Sequence, residues 1–210
     1  MGKLSKQFKN ILICFLTFFL ISIQLGMRDL LADSKNYKHY FEEGIDAFED
    51  KNYYRAIINF NKAIELNPND SDLYVQRGRA NRMDGNWSEA MNDYSYAITL
   101  DPKNTIAFYK RSWLKVDLKI KDYDGAILDM KQTLILDPYN VEFMEDLSHI
   151  YYYANKTRSG VKILNLAIDI EPDNGNLYYW RGVYKNMRVY PSGCRDIRKS
   201  KKLKASDYVG

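Results

Sequence analysis

Asn67-Pro68-Asn69-Asp70 is followed by Asp101-Pro102-Lys103-Asn104, Asp137-Pro138-Tyr139-Asn140 and Glu171-Pro172-Asp173-Asn174. The prolines of these four strings stand 34, 36 and 34 residues apart. Self-similarity at a period of about 34 residues is the mark of a repeat architecture, in which one supersecondary unit recurs and each copy packs on the next. Working outward from the prolines divides the chain into units 37–70, 71–104, 105–140 and 141–174, with a divergent fifth at 175–208.

Within the first unit the marked positions are Tyr40, Gly44, Tyr53, Ala56, Phe60, Ala63 and Pro68, and the second repeats the set as Tyr74, Gly78, Trp87, Ala90, Tyr94, Ala97 and Pro102. In this pattern the sequence resembles the tetratricopeptide repeat family. The resemblance implies an all-α fold, a right-handed superhelical solenoid of about five helix–turn–helix units with no β-sheet. Each residue type has a physical reason. Gly44 and Gly78 let the second helix of a unit approach the first, the Ala pairs keep a narrow stripe against neighbours, and the aromatics fill the space between helices. Proline ends the second helix, and the Asp or Asn that follows it is placed to cap the next one.

The later units depart from the pattern. The third has Ser112 in place of Gly and two extra residues around Asp117–Lys121, so its first helix or its turn must be longer. The fourth has Ser148 for Gly and Gly160 for the first Ala. The fifth opens with Tyr178, Arg181 and Gly182, and its second half, from Pro191 to Leu203, is similar to the closing half-repeats of bacterial tandem repeat proteins. There Cys194 takes the small-residue position, which predicts its burial. Arg198 and Lys201 take the places of Phe60 and Ala63, consistent with a terminal repeat whose outer face is solvated. Capping accounts for this basic ending; a contact with phospholipid or acidic protein is the second reading.

Composition agrees with a folded helical chain. The 210 residues are 46% hydrophobic and 28% charged, enough apolar material for a core, and 18 Tyr against 11 Gly and 5 Pro argue against a many-turned β domain. The net charge of +4 is uneven: Lys3, Lys6 and Lys9 crowd the start, and Arg195, Arg198, Lys199, Lys201, Lys202 and Lys204 crowd the end. That distribution does not suit a nucleic-acid-binding protein.

Residues 1–33 read as a signal peptide or N-terminal membrane anchor. Three lysines precede an apolar run from Ile11 to Ile23, and a retained helix over 11–27 would be slightly short for a bilayer but could still span it. Cleavage and retention are both open. Either places the body, 34–210, across the membrane, exported to a periplasmic or other extracytoplasmic space, because the lysines stay in the cytoplasm.

Nothing in the sequence supplies catalysis. There is no Gly-x-Ser-x-Gly, no phosphate-cradling glycine loop and no His-Glu-x-x-His, and the two histidines, His39 and His149, lie in different units. Two His and two Cys, one of the latter in the leader, leave no structural metal site, so neither metal, cofactor nor small-molecule substrate is expected. Asp46, Glu49, Asp84, Asp124 and Asp129 read as solvated single charges.

What remains is a surface for a protein or peptide partner. Positions two, five, nine and twelve of each first helix form a stripe apart from the positions that face the second helix. In the family this stripe lines the concave groove. Here the resemblance selects Phe41, Ile45, Arg79, Arg82, Tyr109, Trp113, Glu145, His149 and Tyr179 as partner-binding residues, centred on Trp113, basic near the second unit and acidic near the fourth. Family members that grip a C-terminal carboxylate use Lys and Asn in the first unit and Lys and Arg in the third. This chain has Phe41, Ile45, Tyr109 and Trp113 there, so that clamp is not expected. Part of the aromatic stripe is expected to pack between adjacent first helices. The implied function is a non-enzymatic interaction adaptor; the alternative is an assembly factor or structural subunit of a membrane complex.

Overall fold

The computed structural model describes residues 36–117, 119–186 and 192–203, so the leader and any anchor lie outside the described residues. Among them there are ten helices and no strand. They run α1 (36–49), α2 (Tyr53–Leu66), α3 (Ser71–Met83), α4 (Trp87–Leu100), α5 (Thr105–Val116), α6 (Tyr123–Leu136), α7 (Val141–Tyr153), α8 (Thr157–Ile170), α9 (Gly175–Asn186) and α10 (Ser192–Lys202). They pack as five antiparallel pairs, each pair resting on the one before.

The residues after each proline start the next helix as capping chemistry requires. Asp70 accepts from the Asp72 amide, Asn104 from Ala107 and Asn140 from Phe143, each satisfying a helix N-terminal N–H that has no partner within the helix. Within pairs, the residue two before the second helix is left-handed four times: Lys51 (φ 61°), Gly85 (φ 87°), Lys121 (φ 54°) and Asn155 (φ 56°). The third turn, 117–122, absorbs the extra residues; α5 itself is 12 residues long.

Packing explains the repeated small residues. A Cβ on Gly78 would lie 2.7 Å from Tyr94 Cε1, closer than atoms can pack, so only glycine admits the fully buried Tyr94 ring. Phe60, Tyr94, Met130 and Leu164 occupy one position in successive units and Ala63, Ala97, Thr133 and Ala167 another, all fully buried. Where glycine is replaced, the hydroxyl turns back on its own helix: Ser112 Oγ donates to the Tyr109 carbonyl at 2.7 Å and Ser148 Oγ to that of Glu145 at 2.6 Å.

A second repeated device is polar. Arg77 grips the Asp93 carboxylate from Nε and Nη2 and reaches Asn61 of the preceding pair with Nη1. Arg111 repeats this with Asp129 and Ser95, and Arg181 with Asp196 and Asn165. In the fourth pair the corresponding positions hold Leu147 and Ile163, and the device is absent. Asp129 is therefore not a solvated charge: it is 5% exposed and takes both Arg111 and Lys115. Asp124 is exposed but pairs with Lys156.

The last pair corrects two expectations. Cys194 is exposed, and the buried small residue is Gly193. Gly182 meets Ile197 where Gly78 meets Tyr94, and Asp196 stands to Arg181 as Asp93 does to Arg77, one residue closer in sequence. The connection is one residue shorter than the 34-residue repeat supposes, so every position of α10 moves up by one. Ile197 and Ser200, not Arg198 and Lys201, fill the places of Phe60 and Ala63, and both cations face solvent.

Candidate partner-binding groove

First helices α1, α3, α5, α7 and α9 stand side by side, and the stripe read from the sequence runs across them. At the α1 end Phe41, Ile45 and Phe48 are half-buried against Ala47, Phe60 and Ala80. The Arg79 guanidinium carbon lies 4.7 Å from the centre of the Phe48 ring, a cation–π contact that ties α3 to α1. Val75, also on the stripe, is 1% exposed and belongs to the core.

In the middle, α5 meets α7. The Tyr109 hydroxyl donates to Asp146 Oδ2 at 2.9 Å, and the Trp113 indole N–H donates to the same oxygen at 3.3 Å. Tyr109 also packs tilted on Phe143, with ring centres 5.2 Å apart. Burial pushes the Asp146 carboxyl above its ordinary range despite both donors, and burial together with the Asp146 charge raises the Tyr109 phenol. Trp113 is thus half-buried, packed into the core around Met130, Leu147 and Ile150 and still reaching the groove.

Charge is segregated along the groove. Arg79, Arg82 and Lys110 are half-buried, and among the described residues none forms an ion pair with a carboxylate. Burial, then the neighbouring Arg79 and Arg82, pushes the Lys110 ammonium down from its ordinary value. Across α7 the sign reverses: Glu142 and Glu145 line a cleft of about 420 Å³ with Tyr139, Glu171 and Asn174.

Toward the last pair the groove is aromatic. The His149 ring meets Trp180 edge-on at 4.6 Å, His149 Nδ1 and the Tyr184 hydroxyl share a hydrogen bond of 2.6 Å, and Tyr184 stacks on Tyr152 at 5.2 Å. Glu145 Oε1 is 3.8 Å from His149 Nε2. Tyr179 abuts Trp180 at 5.2 Å. The structure brings Tyr109, Trp113, Glu145 and His149 into one region, and Arg79 and Arg82 onto its basic flank; Phe41, Ile45 and Tyr179 lie toward the ends.

Lys110, Asp146 and Trp180 were missed by the stripe reading. All three hold position six of their first helix, which sits one turn from positions two and nine and so shares their face. Among the described residues no group of three His, Cys, Asp or Glu side chains could hold a metal ion, and no helix is long and apolar enough to cross a membrane.

The paired helices and their period agree with two family models, both described as tetratricopeptide repeat, which match residues 47–70 and 59–92. Residues 47–92 thus match tetratricopeptide repeats, and the helix pairs beyond them repeat the same packing. A DnaJ homolog subfamily C member 7 homolog from Dictyostelium discoideum is 32% identical over 132 residues, which is 60% of this chain and 24% of that protein. The chain therefore spans about a quarter of that relative's length. Among solved structures, MamA superposes with a TM-score of 0.71 over 81% of this chain and 93% of its own, at 15% identity. YrrB, described as a tetratricopeptide repeat protein with an unusual peptide-binding site, gives 0.66 over 85% and 91%, at 14% identity. At such identities the structural likeness establishes a shared fold, an all-α repeat solenoid.

Proposed function

We propose that the chain is a non-enzymatic adaptor that holds an extended segment of a partner protein along the face of its first helices. One observation carries this reading. Tyr109 and Trp113 are fixed on a single carboxylate oxygen of Asp146, between cations that lack carboxylate partners and an acidic cleft. Rigid aromatic anchors flanked by segregated charge supply affinity at the centre and orientation from the rim. The tetratricopeptide repeats support the same reading, since YrrB is described as binding a peptide on this fold. The test is selection of a displayed peptide library on the purified chain, followed by affinity measurement with Arg79→Glu and Glu145→Lys variants. Peptides whose affinity falls at least tenfold in either variant, at unchanged melting temperature, support the groove. Peptides indifferent to both variants would place binding elsewhere.

Location rests on the sequence alone. We infer from Lys3, Lys6, Lys9 and the apolar run that the repeats work outside the cytoplasm, either released or anchored by residues 11–27. A fusion of alkaline phosphatase to the C-terminus reports this directly: enzyme activity in intact cells supports export, and its absence counts against it.

A further inference from the structure

The repeats contain their own control for one cleft. The Arg–Asp pairs of the second and fifth units each line a surface hollow. In the second unit this hollow holds Arg77 and Asp93 with Asn81, Asn92 and Glu89 around them. In the fifth it is a cleft of about 530 Å³ lined by Tyr178, Arg181, Lys185, Arg195, Asp196 and Lys199. With the one-residue shift of α10, Lys185 replaces Asn81, Arg195 replaces Asn92 and Lys199 replaces Tyr96. A hollow with one cation and two carboxylates in the second unit thus gathers four cations against one carboxylate in the fifth.

The single carboxylate is already engaged. Asp196 accepts from Arg181 Nε at 2.9 Å and Nη2 at 2.8 Å, and from Lys185 Nζ at 2.8 Å. Burial raises its carboxyl, but these donors outweigh burial and hold it below the usual carboxylate range. Lys199 Nζ donates to the Tyr178 hydroxyl at 2.7 Å and lies 4.1 Å from the centre of its ring. Among the described residues neither Arg195 nor Lys199 has a carboxylate within ion-pair distance.

Stability does not account for this charge. A terminal repeat needs a polar outer face, but capping has no preference for one sign. Arg195 stands in the first turn of α10, where the helix end is itself positive, and Arg195 and Lys199 are like charges four residues apart, which weakens a helix. The cations Lys199, Lys201 and Lys202 in the last turn suit the helix dipole; Arg195 does not.

We propose that the cleft between α9 and α10 binds a phosphate group, held by Arg195 and Lys199 with Arg181 and Lys185 behind them. A guanidinium beside an ammonium matches the tetrahedral phosphate oxyanion, since Arg offers a planar fork and Lys a mobile point charge. The phosphate could be free or carried by a lipid headgroup, and the two sources are separated by the probes. The purified full chain is titrated with inorganic phosphate and, separately, sedimented with vesicles of phosphatidylcholine or of phosphatidylcholine with phosphatidylglycerol. Because residues 11–27 would enter any bilayer, the readout is the difference between the two vesicle types. Saturable phosphate binding without vesicle preference assigns a soluble ligand; preference for the anionic vesicles assigns a headgroup. In either case Arg195→Gln with Lys199→Gln is expected to lower binding at least tenfold, and Lys201→Gln with Lys202→Gln, outside the cleft, less than twofold. Equal losses from both pairs would show diffuse attraction to the basic end and overturn the site, as would the absence of binding to every probe. Melting curves of both double variants verify that α10 remains docked.

Discussion

The Tyr109 hydroxyl on α5 and Asp146 Oδ2 on α7 lie 2.9 Å apart across 37 positions of sequence, joining the third repeat to the fourth inside the groove. Because burial raises the Asp146 carboxyl, the folded state binds its proton more readily than the unfolded chain does. Its contribution to stability is full below the ordinary value of 3.8 and is lost as pH rises through the elevated folded value. Asp146→Asn keeps an acceptor for both donors without the charge. Urea unfolding between about pH 4 and 7 should show wild type losing stability relative to this variant as pH rises. Asp146→Ala, which leaves the Tyr109 and Trp113 donors unpaired, should lose about 1–3 kcal/mol.

The polar device of the third repeat and its apolar counterpart in the fourth make opposite demands. Asp129→Ala leaves Arg111 and Lys115 without their carboxylate in a largely buried site and should cost about 3 kcal/mol. Transplanting the fourth repeat's solution, Arg111→Leu, Lys115→Tyr and Asp129→Ile together, should recover most of that loss, since a well-packed apolar replacement of a buried ion pair is often neutral or better. Denaturant midpoints of the two variants provide the comparison.

Left-handed backbone recurs at Lys51, Gly85, Lys121 and Asn155, and only one of these is glycine. Gly85→Ala should therefore lower stability by about 1 kcal/mol, and Lys121→Gly should raise it by about 0.5 kcal/mol once the greater freedom of unfolded glycine is subtracted. Thermal unfolding of the two variants checks both signs.

Removal of the chain from Pro191 onward should destabilise the array and promote association. It uncovers the face of α9 around Tyr178, which is 5% exposed and carries Lys199 of α10 over its ring. Light scattering and a lowered melting temperature are the expected observations; a monomeric truncation with unchanged melting would contradict the capping role of α10.

The period, the glycine–aromatic contacts and the Asp or Asn caps were legible in the sequence because each is a local requirement repeated in register. What escaped it depended on register failing or on neighbours in other units. Cys194 was assigned to the core by counting 34 residues from Gly160, and one missing residue before α10 gave that place to Gly193. Asp129 carried no sign of its partners, since Arg111 lies 18 residues away on another helix. Lys110 and Asp146 belong to the groove because helical position six shares a face with positions two and nine, a geometric fact that a stripe drawn at four positions omits. Val75 shows the converse: it lies on the stripe, yet neighbouring helices cover it.

The arginine device joins each repeat backward to its predecessor, and Leu147 interrupts it. Between the third and fourth repeats the side-chain polar ties among the described residues are the two donors on Asp146 and the exposed Lys156–Asp124 pair, and exposed pairs contribute little. The apolar packing of Leu147 and Ile150 of α7 on Ala126, Ile127 and Met130 of α6 carries the coupling there, so in a solenoid whose cooperativity passes only from neighbour to neighbour Leu147→Ala should divide the array into two foldons, repeats one to three and repeats four and five. Native-state hydrogen exchange of that variant should then show two protection levels that meet at the α6–α7 junction. A ligand laid across Trp113 would bridge that seam, so its binding would be reported as the two foldons opening together rather than in turn.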